Sequence, residues 1–473
     1  MHPRTTRAAL LTAALGGLGQ TPAPAQAPEP PARVVRARDF LDTFGANIHL
    51  GDNGYRDARA VAGALAFVGW SRARIACFGP ADVAAWKALA AQGRRSPGGL
   101  KADVLIIGYL NAPNVTLEGQ KPLVAQIADT TETLEGPNEI NNADVGGGTH
   151  GPGDLSERTG QFPANYAAWA RALSDWRRDT PALARVKLLA PTIASGDPAD
   201  YARLPDVSAF VDGGCLHFYA GAGRPPSNFG GGSFARIYDW YKAAASPSKP
   251  VSVSEWGQTT AGKPGQGGCD EATQARYVLN QTMDLAAKGV YRAYLYQLMD
   301  DSADGDPTGA GGAESHFGIF DFRWRPKPAA RALAAVKALL GDTAAPFTPR
   351  VPPWRVSGVT QAGAAGDRLA VAKSDGSTFL IVWNEPPVWD AQANTPITPA
   401  PDPVRVSFGA RCAYQVYDPL AGVRPIGSGR GAGVGVTLRG SPLMIRVVPL
   451  MARAARKKLN PYAKKTPAHR RPL

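Results

Sequence analysis

Two glutamates of this chain stand in polar segments that each follow a short apolar run. Glu139 lies in TLEGPNEINN and Glu255 lies in KPVSVSEWGQ. Two facing carboxyl groups can act together on one covalent bond, because one can protonate the leaving oxygen while the other attacks the carbon or activates water. This is the chemistry of glycosidic bond hydrolysis, with about 5–5.5 Å between the carboxyl groups for retention of anomeric configuration and a wider gap for inversion.

The elements that must position these glutamates alternate between strands and helices. From residue 39 to residue 342, short apolar or β-branched runs precede Ala- and Leu-rich segments of helical period. Strands are predicted at 43–49, 72–78, 103–109, 131–135, 187–191, 214–219, 250–255 and 291–298. Helices are predicted at 58–68, 81–91, 166–178, 234–245, 271–288 and 327–340.

Eight strands that alternate with helices predict an α/β fold, a (β/α)8 TIM barrel over residues 33–345. The active site of such a barrel lies at the C-terminal ends of the strands, so Glu139 and Glu255, at the ends of strands four and seven, would share one opening. An open doubly wound sheet is the alternative. That fold normally has a Gly-rich phosphate loop after its first strand, and FGANIHLGDNG is not one.

Residues 346–452 have a different pattern, in which short alternating segments are separated by turn residues. Strands are predicted at 369–373, 378–383, 404–408, 414–417, 434–438 and 444–448. The pattern predicts a C-terminal antiparallel β-sandwich domain after the barrel.

At these residues the sequence resembles the clan A glycoside hydrolases, over residues 39–340. In that clan an Asn-Glu pair on strand four supplies the acid/base, and a Glu on strand seven is the nucleophile. The segments EGPNEIN, HFYAG, SEWG and HFGIFDFRWRPKPAARAL are most similar to family 39 and its relatives, which commonly have a β-sandwich after the barrel. The resemblance implies that Glu139 is the acid/base, Glu255 the nucleophile and Asn138 the donor to the sugar 2-hydroxyl.

Several neighbours support this interpretation over the alternative that both glutamates are ordinary loop carboxylates. Arg74 lies near the end of strand two, where clan members have an arginine that hydrogen-bonds the nucleophile, and a cation within about 4–6 Å would keep Glu255 ionised. His217 and Tyr219 lie on one face of strand six. The resemblance implies that the tyrosine orients the nucleophile, and a hydrogen-bonded core histidine is the alternative for His217. Glu135 is expected to be a structural partner of a base such as Arg74.

Trp256 and Tyr296 are the candidates for stacking on the apolar face of a sugar, with ordinary packing as the alternative. Clan members often have a tryptophan at the end of strand eight, where this chain has Tyr-Leu-Tyr-Gln. No metal or cofactor is predicted, because the acidic segment 300–311 lacks the terminal Glu of an EF-hand loop and the sequence has no His-Glu-x-x-His, Gly-x-Ser-x-Gly or Walker motif.

The net charge of +13 is concentrated at the ends of the chain. Residues 453–473 contain eight Lys or Arg and no acid, so the body of the protein is nearly balanced and is not expected to bind nucleic acid. The tail is predicted to be a solvated, disordered extension. Electrostatic contact of this tail with an anionic polysaccharide, lipid or nucleic acid is the alternative.

The N-terminal residues 1–27 predict export, because a basic start is followed by a short apolar run and an Ala-x-Ala pattern. The mature protein is therefore expected to be periplasmic or secreted, and no apolar stretch is long enough for a transmembrane segment. The four cysteines are expected to be buried thiols or to form at most one bridge. The functional hypothesis is an exported retaining glycoside hydrolase with a carbohydrate substrate. The alternative is a non-catalytic carbohydrate-binding or envelope protein on a barrel scaffold.

Overall fold

The structure is a computed structural model. It describes residues 32–93, 99–106, 116–141, 162–221, 223–228, 232–261, 268–301, 314–342 and 346–450. The predicted export signal, the predicted basic tail and the last part of the predicted strand 103–109 lie outside the described residues.

Eight parallel strands form a closed barrel, which confirms the predicted (β/α)8 architecture. A short strand, β1 (Val34–Arg36), precedes the barrel. The eight barrel strands are β2 (Phe44–Asn47), β3 (Arg72–Ala76), β4 (Lys101–Leu105), β5 (Thr131–Glu135), β6 (Lys187–Leu189), β7 (Gly214–Phe218), β8 (Val251–Trp256) and β9 (Ala293–Leu295). Their order in the sheet is β6-β5-β4-β3-β2-β9-β8-β7. A parallel bridge between Leu189 and Gly213 joins the two ends of this order and closes the barrel.

The helices pack around this barrel, and two of them have a capping residue at each end. The α-helices are α1 (Ala37–Asp42), α2 (Ala58–Val68), α3 (Pro80–Gly93), α4 (Leu117–Ala125), α5 (Phe162–Asp179), α6 (Pro198–Ala202), α7 (Phe234–Ala244), α8 (Glu271–Lys288) and α9 (Pro328–Leu340), with short 3-10 turns at Asn53–Arg56, Pro181–Leu183 and Glu314–His316. In α2, the Asp57 carboxylate accepts from the first-turn amides and Gly69 ends the helix at φ 87°. Asp270 and Gly289 do the same for α8. Among the described helices, none is long and apolar enough to cross a bilayer.

The C-terminal residues form the predicted β-sandwich. Its strands are β10 (Trp354–Ser357), β11 (Arg368–Ala372), β12 (Thr378–Val382), β13 (Trp389–Asp390), β14 (Thr395–Pro396), β15 (Asp402–Tyr417), β16 (Gly427–Leu438) and β17 (Leu443–Pro449). The first half of β15 pairs with β10 and the second half with β17, and the register of its pairing with β16 shifts between Ser407 and Cys412. The sheet is antiparallel except at one edge, where β1 pairs in parallel with β11.

The sandwich shares its apolar core with the barrel. Leu369 and Val371 of β11 and Phe379 and Ile381 of β12 belong to the same buried cluster as the barrel residues. The alternate residues of these strands, such as Leu380, fill the interior of the sandwich. Strands β11 and β12 are therefore buried on both faces, and removal of the sandwich would expose apolar surface on the barrel side.

The four cysteines are free and buried, as expected from their spacing. Burial raises the pKa of Cys77 to about 12. Thiols of this kind stay protonated at neutral pH, so they act as small apolar side chains rather than as nucleophiles.

Candidate active site

A cavity of about 860 Å³ opens at the C-terminal ends of the barrel strands. A volume of this size is typical of sites for small ligands. Six of the eight predicted site residues line it, namely Arg74, Asn138, Glu139, Tyr219, Glu255 and Tyr296. Of the other two, His217 lies directly behind the glutamates, and Trp256 does not line the cavity.

The two glutamates meet at this cavity. A carboxylate oxygen of Glu139, a carboxylate oxygen of Glu255 and Nδ1 of His217 all lie within 4.8 Å of one another. The Glu139 and Glu255 side chains are 13% and 12% exposed, so each is mostly desolvated but open to the cavity. The barrel thus brings together two carboxylates that are far apart along the chain.

Glu255, at the end of β8, is held by three neighbours. Arg74 Nη1 donates to Oε1 of Glu255 at 2.6 Å, and the Tyr219 hydroxyl donates to Oε2 at 2.7 Å. His217 Nδ1 lies 3.5 Å from Oε2. Burial raises the pKa of Glu255, but the charges of His217 and Arg74 and the hydrogen bonds outweigh burial, and the pKa is lowered overall. Glu255 is therefore an ionised carboxylate fixed in the cavity wall.

Tyr219 can only donate in this contact. Burial, together with the charge of Glu255, raises the pKa of the Tyr219 hydroxyl well above its usual range. The phenol keeps its proton at neutral pH, so it donates its hydrogen bond to the ionised Glu255.

Glu139 is positioned by its backbone as well as by its side chain. It has a φ of 45°, in the left-handed region that residues other than glycine rarely adopt. Its amide donates to Oγ1 of Thr192 at 2.9 Å, and the amide of Ile140 donates to the Thr192 carbonyl. These bonds join the segment after β5 to the segment after β6. Strained backbone of this kind is concentrated at functional sites.

Arg74 connects the groups under the cavity. Its guanidinium donates twice to Glu135, at 2.7 and 3.2 Å, and once each to Asn47, Asn138 and Glu255. All five of its N–H groups are thereby used. Glu135 is fully buried, so its charge is compensated by Arg74 inside the barrel, as predicted for a structural partner.

His217 lies between the two glutamates and the barrel interior. Its Nδ1 is 2.8 Å from Oε1 of Glu139, and its Nε2 is 3.1 Å from the hydroxyl of Ser254, which donates to Glu135. Burial lowers the pKa of His217, but Glu255 and Glu139 outweigh burial and the pKa is raised overall. His217 is thus a fixed group whose Nδ1 contacts both glutamates.

Trp256 is not a cavity residue, and its predicted role as a sugar platform is wrong. The side chain is fully buried and its ring contacts Phe44 edge-on, with 6.4 Å between the centroids. Trp256 therefore belongs to the apolar core and not to the cavity wall. Tyr296 does line the cavity and packs against Phe317, an aromatic residue of the wall that the sequence analysis missed.

Other residues of the site were also missed. Asn47, at the end of β2, accepts from Arg74 and donates to the backbone of β8 and β9. Its position at a strand end was a signal that could have identified it. Ser254 and Thr192 act through contacts that form only when distant segments meet, and no sequence pattern marks them.

The comparisons with known proteins agree with this architecture. No family model and no curated protein sequence matches the chain. Among solved structures, the chain is similar to a family 39 glycoside hydrolase from Bacteroides cellulosilyticus WH2, with a TM-score of 0.57 and 16% identity over 87% of this chain and 82% of that chain. It is also similar to a glucosidase from Croceicoccus marinus, with a TM-score of 0.51 and 15% identity over 89% of this chain and 99% of that chain. The chain therefore shares its fold with these two proteins.

Within the described residues there are two clusters, and each contains three residues that could bind a metal ion. The first comprises Glu139, His217 and Glu255, whose ligand atoms contact one another and whose carboxylates are held as described above. The second comprises His49, Asp52 and Asp301 at the side of the cavity. Neither cluster requires a metal to explain the contacts of the glutamate pair.

Proposed function

We propose that the protein is an exported retaining glycoside hydrolase, which cleaves O-glycosidic bonds of a polysaccharide or oligosaccharide by double displacement. The observation that carries this proposal is the meeting of Glu139 with an ionised Glu255 in one cavity. The sequence resemblance at these two strand ends and the fold shared with glycoside hydrolases support it. The predicted signal at residues 1–27 supports action in the periplasm or outside the cell.

The spacing of the glutamates supports retention rather than inversion. An inverting enzyme keeps its two carboxyl groups about 6.5–9.5 Å apart, because a water molecule must fit between one of them and the sugar. Oxygens of Glu139 and Glu255 approach within 4.8 Å, which favours direct attack by a carboxylate.

The reaction then proceeds in two displacements. A Glu255 carboxylate oxygen forms a bond to the anomeric carbon while the bond from that carbon to the leaving oxygen breaks, and Glu139 gives its proton to that oxygen. In the second step Glu139 takes a proton from water, the water oxygen bonds to the anomeric carbon, and the ester bond to Glu255 breaks. Both glutamates return to their starting states, so no cofactor is consumed.

The other residues of the site either orient the two glutamates or contact the sugar. Arg74, Tyr219 and His217 orient the carboxylates. Asn138 lines the cavity with its Oδ1 held by Arg74, and we assign it as the donor to the sugar 2-hydroxyl. Tyr296 offers an aromatic wall for the sugar, whereas Trp256 is removed from the set of substrate contacts because it is buried.

A panel of bacterial and plant polysaccharides, screened with the purified protein, tests the proposal. On any substrate that is cleaved, Glu139→Gln and Glu255→Gln should each lower kcat at least about 1,000-fold, because a proton donor or a nucleophile is lost. Glu118→Gln, at a glutamate that is 78% exposed, is the matched control and should have no effect. Azide should restore turnover to Glu255→Gly and yield a glycosyl azide. Undiminished hydrolysis by Glu255→Gln, or a product of inverted configuration by NMR, would contradict the mechanism.

A further inference from the structure

The segment that carries Glu139 is bonded to the segment that follows β6. The pairing of strands β5 and β6 ends at Glu135, before the cavity is reached. Beyond that point the amide of Thr192 donates to the carbonyl of Pro137 at 3.1 Å, and the amide of Ile140 donates to the carbonyl of Thr192 at 2.9 Å. These backbone bonds continue the contact between the two strands as far as the cavity.

Two side chains add further bonds to this contact. Oγ1 of Thr192 accepts from the amide of Glu139 at 2.9 Å. Nδ2 of Asn141 donates to the carbonyl of Ala194 at 2.8 Å, and Oδ1 of Asn141 accepts from the amide of Ala194 at 2.8 Å. Thr192 is fully buried, so water does not compete for its bonds. We refer to the side chains of Asn141 and Thr192 as the clamp.

A glycine allows the two segments to approach so closely. Gly136 directly follows β5, and Pro191 is two residues after the end of β6. A Cβ atom at Gly136 would lie 2.9 Å from the backbone nitrogen of Pro191, which is closer than Cβ atoms pack in proteins. The lack of a side chain at Gly136 therefore lets the bonds of the clamp form.

The clamp holds Glu139 in an unfavourable backbone conformation. At a φ of 45°, Cβ lies close to the following carbonyl oxygen, and a residue with a side chain avoids this arrangement unless its surroundings impose it. The far end of the side chain is held separately, because Nδ1 of His217 lies 2.8 Å from Oε1 of Glu139. The backbone therefore sets the direction in which the Glu139 side chain enters the cavity.

We propose that Thr192 and Asn141 are positioning residues that direct the carboxyl group of Glu139 at the leaving oxygen. The inference rests on the proposed function, because Glu139 is the proton donor of that reaction. Both residues act through the backbone of Glu139 and not on the sugar. A small displacement of a proton donor impairs its proton transfer. The attack by Glu255 should be affected much less, because other residues hold its carboxylate.

Aryl glycosides with different leaving groups separate proton donation from nucleophilic attack. The probes are the 2,4-dinitrophenyl and phenyl glycosides of the saccharide that the polysaccharide screen releases. Dinitrophenolate leaves without a proton, whereas the phenyl glycoside needs one, and kcat/KM reports the first displacement of both. Thr192→Val keeps the side-chain size but loses the acceptor. It should lower kcat/KM about 10- to 100-fold for the phenyl glycoside and less than about threefold for the dinitrophenyl glycoside. Glu139→Gln should give the same pattern with a larger loss.

Three further variants separate positioning from general stability. Thr192→Ser keeps the acceptor and should return kcat/KM for the phenyl glycoside to within about threefold of wild type. Asn141→Ala removes both bonds to Ala194 and should repeat the leaving-group dependence, which tests the proposal independently of how Thr192→Val folds. Thr282→Val is the matched control, because Thr282 is also buried and donates to the Val278 carbonyl within α8. Any loss that this control causes should be equal for both glycosides.

Amide hydrogen exchange tests the clamp without reference to turnover. Exchange at the amides of Glu139 and Ile140 should be faster in Thr192→Val than in wild type, because the first amide loses its acceptor and the second lies next to it. Unchanged exchange would overturn the clamp.

The outcomes distinguish this inference from the proposed function. Equal losses for both glycosides in Thr192→Val and Asn141→Ala, or no loss in either variant, would overturn the positioning role while the wild type still hydrolyses the probes. Wild-type protein that cleaves no substrate of the screen would contradict the hydrolase, and with it the role of the clamp in proton donation.

Discussion

At the scale of single residues, the site is an arrangement that keeps one buried carboxylate ionised. Burial favours the neutral form of Glu255, and Arg74, His217 and Tyr219 reverse that preference. The same contacts fix both oxygens of Glu255, so its attack would need little reorganisation.

Tyr219→Phe tests this arrangement without removing a charge. The hydroxyl is one of the groups that lower the pKa of Glu255, so its loss should raise that pKa and move the acid limb of the pH profile of kcat/KM to higher pH. We expect kcat/KM at neutral pH to fall about 10- to 100-fold, as for loss of one charge-assisted hydrogen bond. Tyr414→Phe in the sandwich is the control. An acid limb at its wild-type position would contradict the role assigned to Tyr219.

The sequence was informative about residues whose position on a strand decides their role. Glu139, Glu255 and Arg74 were predicted because each lies where a strand reaches the barrel mouth. Trp256 was a candidate for stacking because it is an aromatic residue near a strand end, and the structure shows instead the ordinary packing that was the alternative. Thr192 could not be predicted, because its contact depends on how two loops meet.

At the scale of secondary-structure elements, the strands are held at their N-terminal ends by an ionic cluster away from the cavity. Glu132 of β5 accepts from Arg72 of β3 at 2.6 Å and from Arg292, next to β9, at 2.7 Å. Burial raises the pKa of Glu132, but these two arginines outweigh it and lower the pKa from 4.5 to about 2. The cluster joins strands that are not neighbours in the sheet.

Glu132→Gln should therefore change how stability depends on pH. A lowered folded pKa stabilises the protein above the unfolded pKa near 4.5, and that stabilisation is lost as pH falls towards about 2. At neutral pH we expect the variant to lose about 3 kcal/mol in free energy of unfolding, and the loss should shrink on acidification below the unfolded pKa. Urea titrations along the pH scale measure this, with Glu118→Gln as the control. A loss that is independent of pH would contradict the assigned ion pairs.

Elements with strong local signals were predictable, and elements that depend on distant partners were not. Helices α2 and α8 have the predicted bounds because an acidic N-cap and a terminal glycine mark both ends. Helix α6 was missed because five residues are too few for a helical period. Strand β1 was missed because it has three residues and its partner β11 lies far along the chain.

At the scale of the whole molecule, barrel and sandwich are joined by a buried pair of acids. Asp284 of α8 and Glu385 of the sandwich are 0% and 3% exposed. Asp284 Oδ1 accepts from the amide of Ala365 and from Nε1 of Trp383, and Glu385 Oε2 accepts from the amide of Ser227. Burial raises the pKa of both acids, and the charge of Glu385 adds to the effect on Asp284.

Asp284→Asn should reduce the loss of stability at high pH. Raised folded pKa values stabilise the protein below the unfolded pKa near 4, and the stabilisation is lost as pH rises through the folded values. An asparagine keeps the Oδ1 acceptor and can donate to Glu385, so Tm of the variant should decline less than that of wild type from mildly acidic to alkaline pH. Thermal unfolding over that range, with Asp129→Asn as the control, measures the slopes. Parallel slopes would contradict the raised pKa values of this pair of acids.

The central claim is that Glu255 becomes covalently bonded to the sugar, and trapping that ester tests it most directly. A 2-deoxy-2-fluoro aryl glycoside of the cleaved sugar slows the second displacement, so the ester accumulates. Intact mass spectrometry should show one added fluoroglycosyl group, and peptide mapping should place it on Glu255, with no label in Glu255→Gln. A label on another residue, or no label on protein that cleaves the parent glycoside, would contradict the account.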